Sequence, residues 1–99
     1  MIKNIIIALL FGLFATNIVA QNTITFKVIS DEKEPIVGAS VVLKNTIKGV
    51  ETDFEGIANF KNIPNGKQTF EISFIGFESV TKTIQFPTNQ KEIIIELHE

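Results

Sequence analysis

The sequence predicts an all-β fold, a seven-stranded antiparallel Greek-key β-sandwich. Three observations carry this reading. Apolar and polar residues alternate in short runs through residues 21–99, Gly, Pro, Asn and Asp punctuate those runs, and no apolar stripe at helical spacing separates them. Short strands with turns between them bury their apolar faces by pressing two sheets together.

The first segment stands apart. Lys3 gives a positive start, Ile5 to Ala15 is an unbroken apolar run, and Ala20 is a small residue at the expected cut. This is the pattern of a signal peptide over residues 1–20, removed before Gln21. The run is shorter than the ~20 apolar residues a spanning helix needs. The expectation is therefore an exported domain of residues 21–99 with no transmembrane segment after cleavage. Its destination is the periplasm or the outer membrane, retained or released.

The strands follow in order. Thr23 to Val28 places Ile24, Phe26 and Val28 on one face. Asp31 to Gly38 is a polar loop around Pro35. Ala39 to Lys44 is the second strand, with Val41 and Leu43 inward, and Lys48-Gly49 turns into a short strand from Val50 to Thr52. Asp53-Phe54-Glu55-Gly56 has Asp first and Gly fourth, as a type I turn of a hairpin prefers. Ile57 to Phe60 returns as a strand.

Pro64-Asn65-Gly66 is the next turn, and Asn65-Gly66 is a strong hairpin signal. Lys67 to Ile75 alternates Phe70, Ile72 and Phe74 against polar residues. Gly76 interrupts it, which predicts a bulge or a close backbone approach. Glu78 to Phe86 and Glu92 to Leu97 complete the set.

Composition narrows the chemistry. Without Lys3, eight lysines face eleven acidic residues and there is no arginine, a net charge of about −3. Nucleic acid, which demands clustered cations, is not an expected partner. There is no cysteine, so neither a disulfide nor a thiolate metal site supports the fold.

Taken together, Asp31, Pro35, Gly38-Ala39, Gly49, Thr52-Asp53, Gly56, Pro64, Gly66 and Ser73-Phe74-Ile75-Gly76-Phe77 resemble the carboxypeptidase-regulatory-like domain family. The resemblance spans nearly all of residues 21–99 and implies a transthyretin-like (prealbumin-like) sandwich. It also implies an accessory module of the kind found beside metallocarboxypeptidases or at the N-terminus of TonB-dependent outer-membrane receptors, the receptor type being the better match. Phe74 and Phe77 stand where that family carries tyrosines, so any role of those hydroxyls is absent. The receptor-type module is normally followed by a TonB box and plug, whereas this sequence ends at Glu99. A stand-alone module and a piece of a receptor both stay open.

Candidate chemistry is sparse. Asp31, Glu32 and Glu34 lack the spaced oxygens of a calcium loop and read as a solvated loop. Asp53 with Glu55 reads as turn chemistry, not a catalytic carboxylate pair. His98, the only histidine, sits one residue from the end, where a catalytic base or a zinc ligand is poorly held. The reading is of a protein that is not an enzyme and needs no cofactor or metal.

Phe54, in a turn normally polar, and Phe77, just after Gly76, are the candidate partner contacts. Each either closes an open end of the sandwich or offers a patch to a partner. Asp53, Gly56, Asn65, Gly66 and Gly76 are the structural turn residues. The expected partner is another cell-envelope protein. A glycan is disfavoured because the chain has no Trp or Tyr on which to stack a sugar.

Overall fold

Strand-forming alternation decides which side chains meet before it decides which strands pair. The computed structural model describes residues 21–99, so the expected signal peptide lies outside the described residues. Seven strands form: β1 (Asn22–Ser30), β2 (Ser40–Leu43), β3 (Gly49–Glu51), β4 (Ile57–Ile63), β5 (Gly66–Ser73), β6 (Val80–Phe86) and β7 (Glu92–Leu97). Among the described residues no helix is long and apolar enough to cross a membrane. The strands make one three-stranded sheet, in the order β4-β1-β7, and one four-stranded sheet, in the order β3-β2-β5-β6. The all-β sandwich expected from the pattern is the fold.

Inward positions fill the space between the layers. Ile24, Phe26 and Val28 of β1, with Ala58, Phe60, Ile93, Ile95 and Leu97 from its neighbours, face Val41, Leu43, Phe70, Ile72, Ile84 and Phe86 of the other sheet. Phe70 is the hub. Its ring centroid lies 5.0 Å from Phe26, 5.2 Å from Phe60 and 6.2 Å from Phe86, tilted or edge-on to each. Such geometry sets the positive rim of one ring against the negative face of the next.

Strand partnership differs from the local reading in three places. β1 and β7 run parallel, from Thr25 beside Glu92 to Ser30 beside Leu97, while the other four pairings are antiparallel. Alternation reports which face is buried and carries no information on strand direction.

Asp53–Gly56 is a turn and Pro64-Asn65 a bend leading into Gly66 of β5, but neither closes a hairpin between paired strands. β3 and β4 lie in different sheets, as do β4 and β5. The apolar faces of β4 and β5 meet across the core, so each turn carries the chain between layers. Gly66 adopts φ 103° while Asn65 stays out of the left-handed region, so the two-residue hairpin geometry is not formed.

Gly76 is neither a bulge nor a close approach. It sits at φ 86° in a turn closed by the Phe77 amide donating to the Phe74 carbonyl at 3.0 Å, and a Cβ there would meet nothing within 4 Å. Positive φ at the third position is the geometry of a type II turn. The bulge lies elsewhere. On β4 the step from Phe60 to Ile63 faces the shorter step from Ile24 to Asn22, and Asn62 takes a left-handed φ of 59°.

Candidate functional site

Three loops converge where β7 ends, and each is tied down by its own polar chemistry. Thr52 is buried. Its hydroxyl donates to the Ile36 carbonyl at 2.6 Å and accepts the Ala39 amide at 2.8 Å, lacing the β1–β2 loop to the end of β3. That lacing buries Ile36, whose amide donates to the Val28 carbonyl at 3.0 Å. Ile36 is thus the buried exception in a loop that reads from its sequence as polar around Pro35.

Asp53 organises the β3–β4 turn through its carboxylate. Its Oδ1 accepts the amides of Glu55 and Ile57 at 2.9 and 3.0 Å. Gly56 completes the turn at φ 78° and its carbonyl accepts the Val28 amide at 2.8 Å.

These anchors hold apolar side chains out in solvent. Phe54, at the tip of the β3–β4 turn, is 88% exposed, and Ile75, at the tip of the β5–β6 turn, is 90% exposed. Val37 of the β1–β2 loop is 45% exposed. The two residues singled out in the sequence therefore part company. Phe77 is half-buried, packs against the core and lies 5.8 Å from Phe74, so it closes the end of the sandwich. Phe54 closes nothing. Ile75 and Val37 were not anticipated. The apolar Ile75 beside Gly76 was the available signal, because a glycine turn at that point puts its neighbour at a tip.

Val37 lines an open cavity of about 330 Å³ at this end of the sandwich, whereas Phe54 and Ile75 stand outside its lining. Phe74 and Phe77 contribute its aromatic wall, and Asp31, Glu32, Glu34 and Glu99 contribute carboxylates. Lys33 donates to Glu96, and His98 Nδ1 contacts Asp31. Among the described residues Glu32 and Glu34 have no ion-pair partner. Aromatic faces with unneutralised carboxylates around them suit an ammonium or guanidinium group.

Charge is polarised along the molecule. Asp31, Glu32, Glu34, Asp53, Glu55 and Glu99 belong to this end, with Lys33 among them, whereas Lys44, Lys48, Lys61, Lys67 and Lys91 follow from strand direction at the opposite end, with Glu92 beside them.

The structure also gathers Asp31, Glu96 and His98, with one ligand-type atom of each within 4.8 Å of the others. His98 is better held than its sequence position implied, because its carbonyl accepts the Glu78 amide at 2.7 Å. Lys33 and His98 already engage the two carboxylates of this cluster.

The hydrogen bond from Lys33 holds the Glu96 carboxyl below the usual carboxylate range, with the nearby Lys33 and His98 charges adding to it. A depressed folded pKa contributes stability above the unfolded value, and that contribution is lost as pH falls through the folded value. Lys33→Ala is expected to raise the Glu96 pKa towards the ordinary range, read by carboxyl chemical shifts in an NMR titration.

Comparison with known proteins agrees with this architecture. The family model for the CarboxypepD_reg-like domain matches residues 24–99. A TonB-dependent receptor of Formosa agariphila is 32% identical over 90 residues, covering 90% of this chain and 8% of the receptor. The TonB-dependent receptor SusC of Bacteroides thetaiotaomicron is 34% identical over 76 residues, covering 75% of this chain and 7% of that protein. The chain thus spans less than a tenth of the length of these curated relatives.

Among solved structures, a chain of a type II cohesin–X-dockerin complex from Acetivibrio cellulolyticus superposes with a TM-score of 0.64 at 22% identity, over 77% of this chain and 56% of that one. The Bacillus anthracis TIE protein gives 0.58 at 22% identity, over 80% of this chain and 16% of its own. Those two likenesses concern the fold. By the match over residues 24–99, this chain belongs to the CarboxypepD_reg-like domain family.

Proposed function

We propose that this chain is a non-catalytic docking module of the cell envelope, and that its loop end receives a basic surface of another envelope protein. The observation that carries the reading is the exposure of Val37, Phe54 and Ile75 on the loops of one end of the sandwich, where Val37 also lines the carboxylate-rimmed cavity of Phe74 and Phe77. Apolar tips supply buried area on contact, and an acidic rim selects the partner by charge. Kinship with TonB-dependent receptors supports an envelope setting, and the signal-peptide pattern of residues 1–20 supports export. Phe54 and Phe77 keep distinct roles here. Phe54 touches the partner, and Phe77 shapes the cavity wall.

A photo-crosslinking residue placed at Phe54 or Ile75 in living cells is expected to give one discrete protein adduct. The same residue at Thr83, on the exposed face of β6, gives none. Reversing Glu32 and Glu34 to lysine should abolish the adduct. Adducts of equal yield at all three positions contradict the reading. Phe54→Ser should leave the melting temperature within about 4 °C of the parent, since an exposed surface change typically moves stability by no more than about 0.5 kcal/mol. A large loss of stability would assign Phe54 to the core instead.

A further inference from the structure

A second surface has the opposite chemistry. β3 ends one sheet and β4 ends the other, and the Asp53–Gly56 turn joins them, so their free edges lie on the same side of the sandwich. Between them runs an open groove of about 540 Å³. Val50 and Phe60 give it an apolar floor, and Ile47, fully exposed, stands at its rim. Its charged lining is Lys48 and Lys61, with no carboxylate among the lining residues. Lys44 opens the same β2–β3 loop, outside the groove's lining.

One contact spans the groove. The β4 bulge turns Asn62, and the Lys48 ammonium donates to its carbonyl at 3.1 Å. A carboxylate is a stronger acceptor for an ammonium than a neutral carbonyl, so an acidic side chain entering the groove would displace this contact.

We propose that the groove receives an extended acidic segment of a partner protein. Its carboxylates rest on Lys48 and Lys61, and its apolar side chains rest on Val50 and Ile47. The occupant is extended because, among the described residues, the outer edge of β3 pairs with no strand, and Gly49 and Val50 of β3 line the groove, offering backbone hydrogen bonds to a strand. It is acidic because the charged residues lining the groove are both lysines, Glu51 of β3 standing outside that lining. This proposal goes beyond loop-end docking and does not depend on it, since the two surfaces share no residue.

The test titrates the purified, isotope-labelled full chain with a short peptide alternating glutamate and valine. The control peptide alternates lysine and valine at the same ionic strength. The acidic peptide is expected to shift the amides of Val50, Asn59 and Lys61, and to bind at least about tenfold more tightly than the basic one. Lys48→Glu with Lys61→Glu should invert that preference, and the milder Lys48→Gln with Lys61→Gln should abolish it. Both lysines are exposed, so an unchanged melting temperature separates loss of binding from loss of fold. Equal affinity for the two peptides, absence of shifts with either, or shifts confined to the loop end would overturn the proposal.

Discussion

Phe70→Ala is expected to destabilise the domain by about 3–5 kcal/mol, as burying and then deleting an aromatic ring does in other cores. Phe70 has no exposed surface, and three other phenylalanines close around it from both sheets. Removing it leaves a void that Phe26, Phe60 and Phe86 cannot fill without leaving their own positions, because packed interiors relax only in part. Total stability for small domains is about 5–15 kcal/mol, so the variant would stand near the margin. The melting temperature should fall by on the order of 20 °C. Urea unfolding is the check, with a lower midpoint at unchanged slope. A loss under about 1 kcal/mol would mean that the two layers do not share this ring cluster as their centre.

Gly56→Ala tests the other tight point. A Cβ at Gly56 would lie 2.6 Å from the Val28 carbonyl oxygen and 3.1 Å from Pro35 Cβ, and the residue is at φ 78°. Left-handed backbone costs a non-glycine residue about 1–2 kcal/mol, and forced overpacking adds about 1–3 kcal/mol. The obstructing atom is backbone oxygen, which cannot rotate away. The carbonyl of Gly56 also accepts the Val28 amide, so any retreat loosens the join between the turn and β1. Gly76 provides the matched control, with a similar φ of 86° and open space around it. The expected loss is about 3 kcal/mol for Gly56→Ala and about 1 kcal/mol for Gly76→Ala. Equal losses at the two positions would show that φ alone decides, and that the approach of Val28 and Pro35 carries no cost.

The contrast between these glycines marks what the sequence could reveal. Asp53 and Gly56 were legible as a turn because their chemistry is local, with a side-chain oxygen accepting amides two and four residues ahead. Period-two alternation likewise exposed the inward faces of β1, β5 and β6, whose burial follows from neighbours along the chain. Partnership was not legible. Nothing in Glu92–Leu97 states that it lies beside β1 in the same direction, and nothing in Asn65-Gly66 states that the flanking strands enter different sheets. The loop end followed the same division. Phe54 announced itself as an apolar residue in a polar turn. The cavity did not, because it needs Glu32, Phe74 and Glu99 from three distant segments, and the β3–β4 groove needs two edges that only the finished sandwich sets side by side.

The parallel union of the first and last strands also has a mechanical meaning. Tension applied at Asn22 and Leu97 pulls β1 and β7 lengthwise past each other, since the two strands point the same way and their pulled ends lie at opposite poles. Under that loading the ladder from Thr25–Glu92 to Ser30–Leu97 must rupture as a block, whereas a hairpin would peel open bond by bond. A chain drawn taut through this module would meet resistance from the seam that joins its two termini.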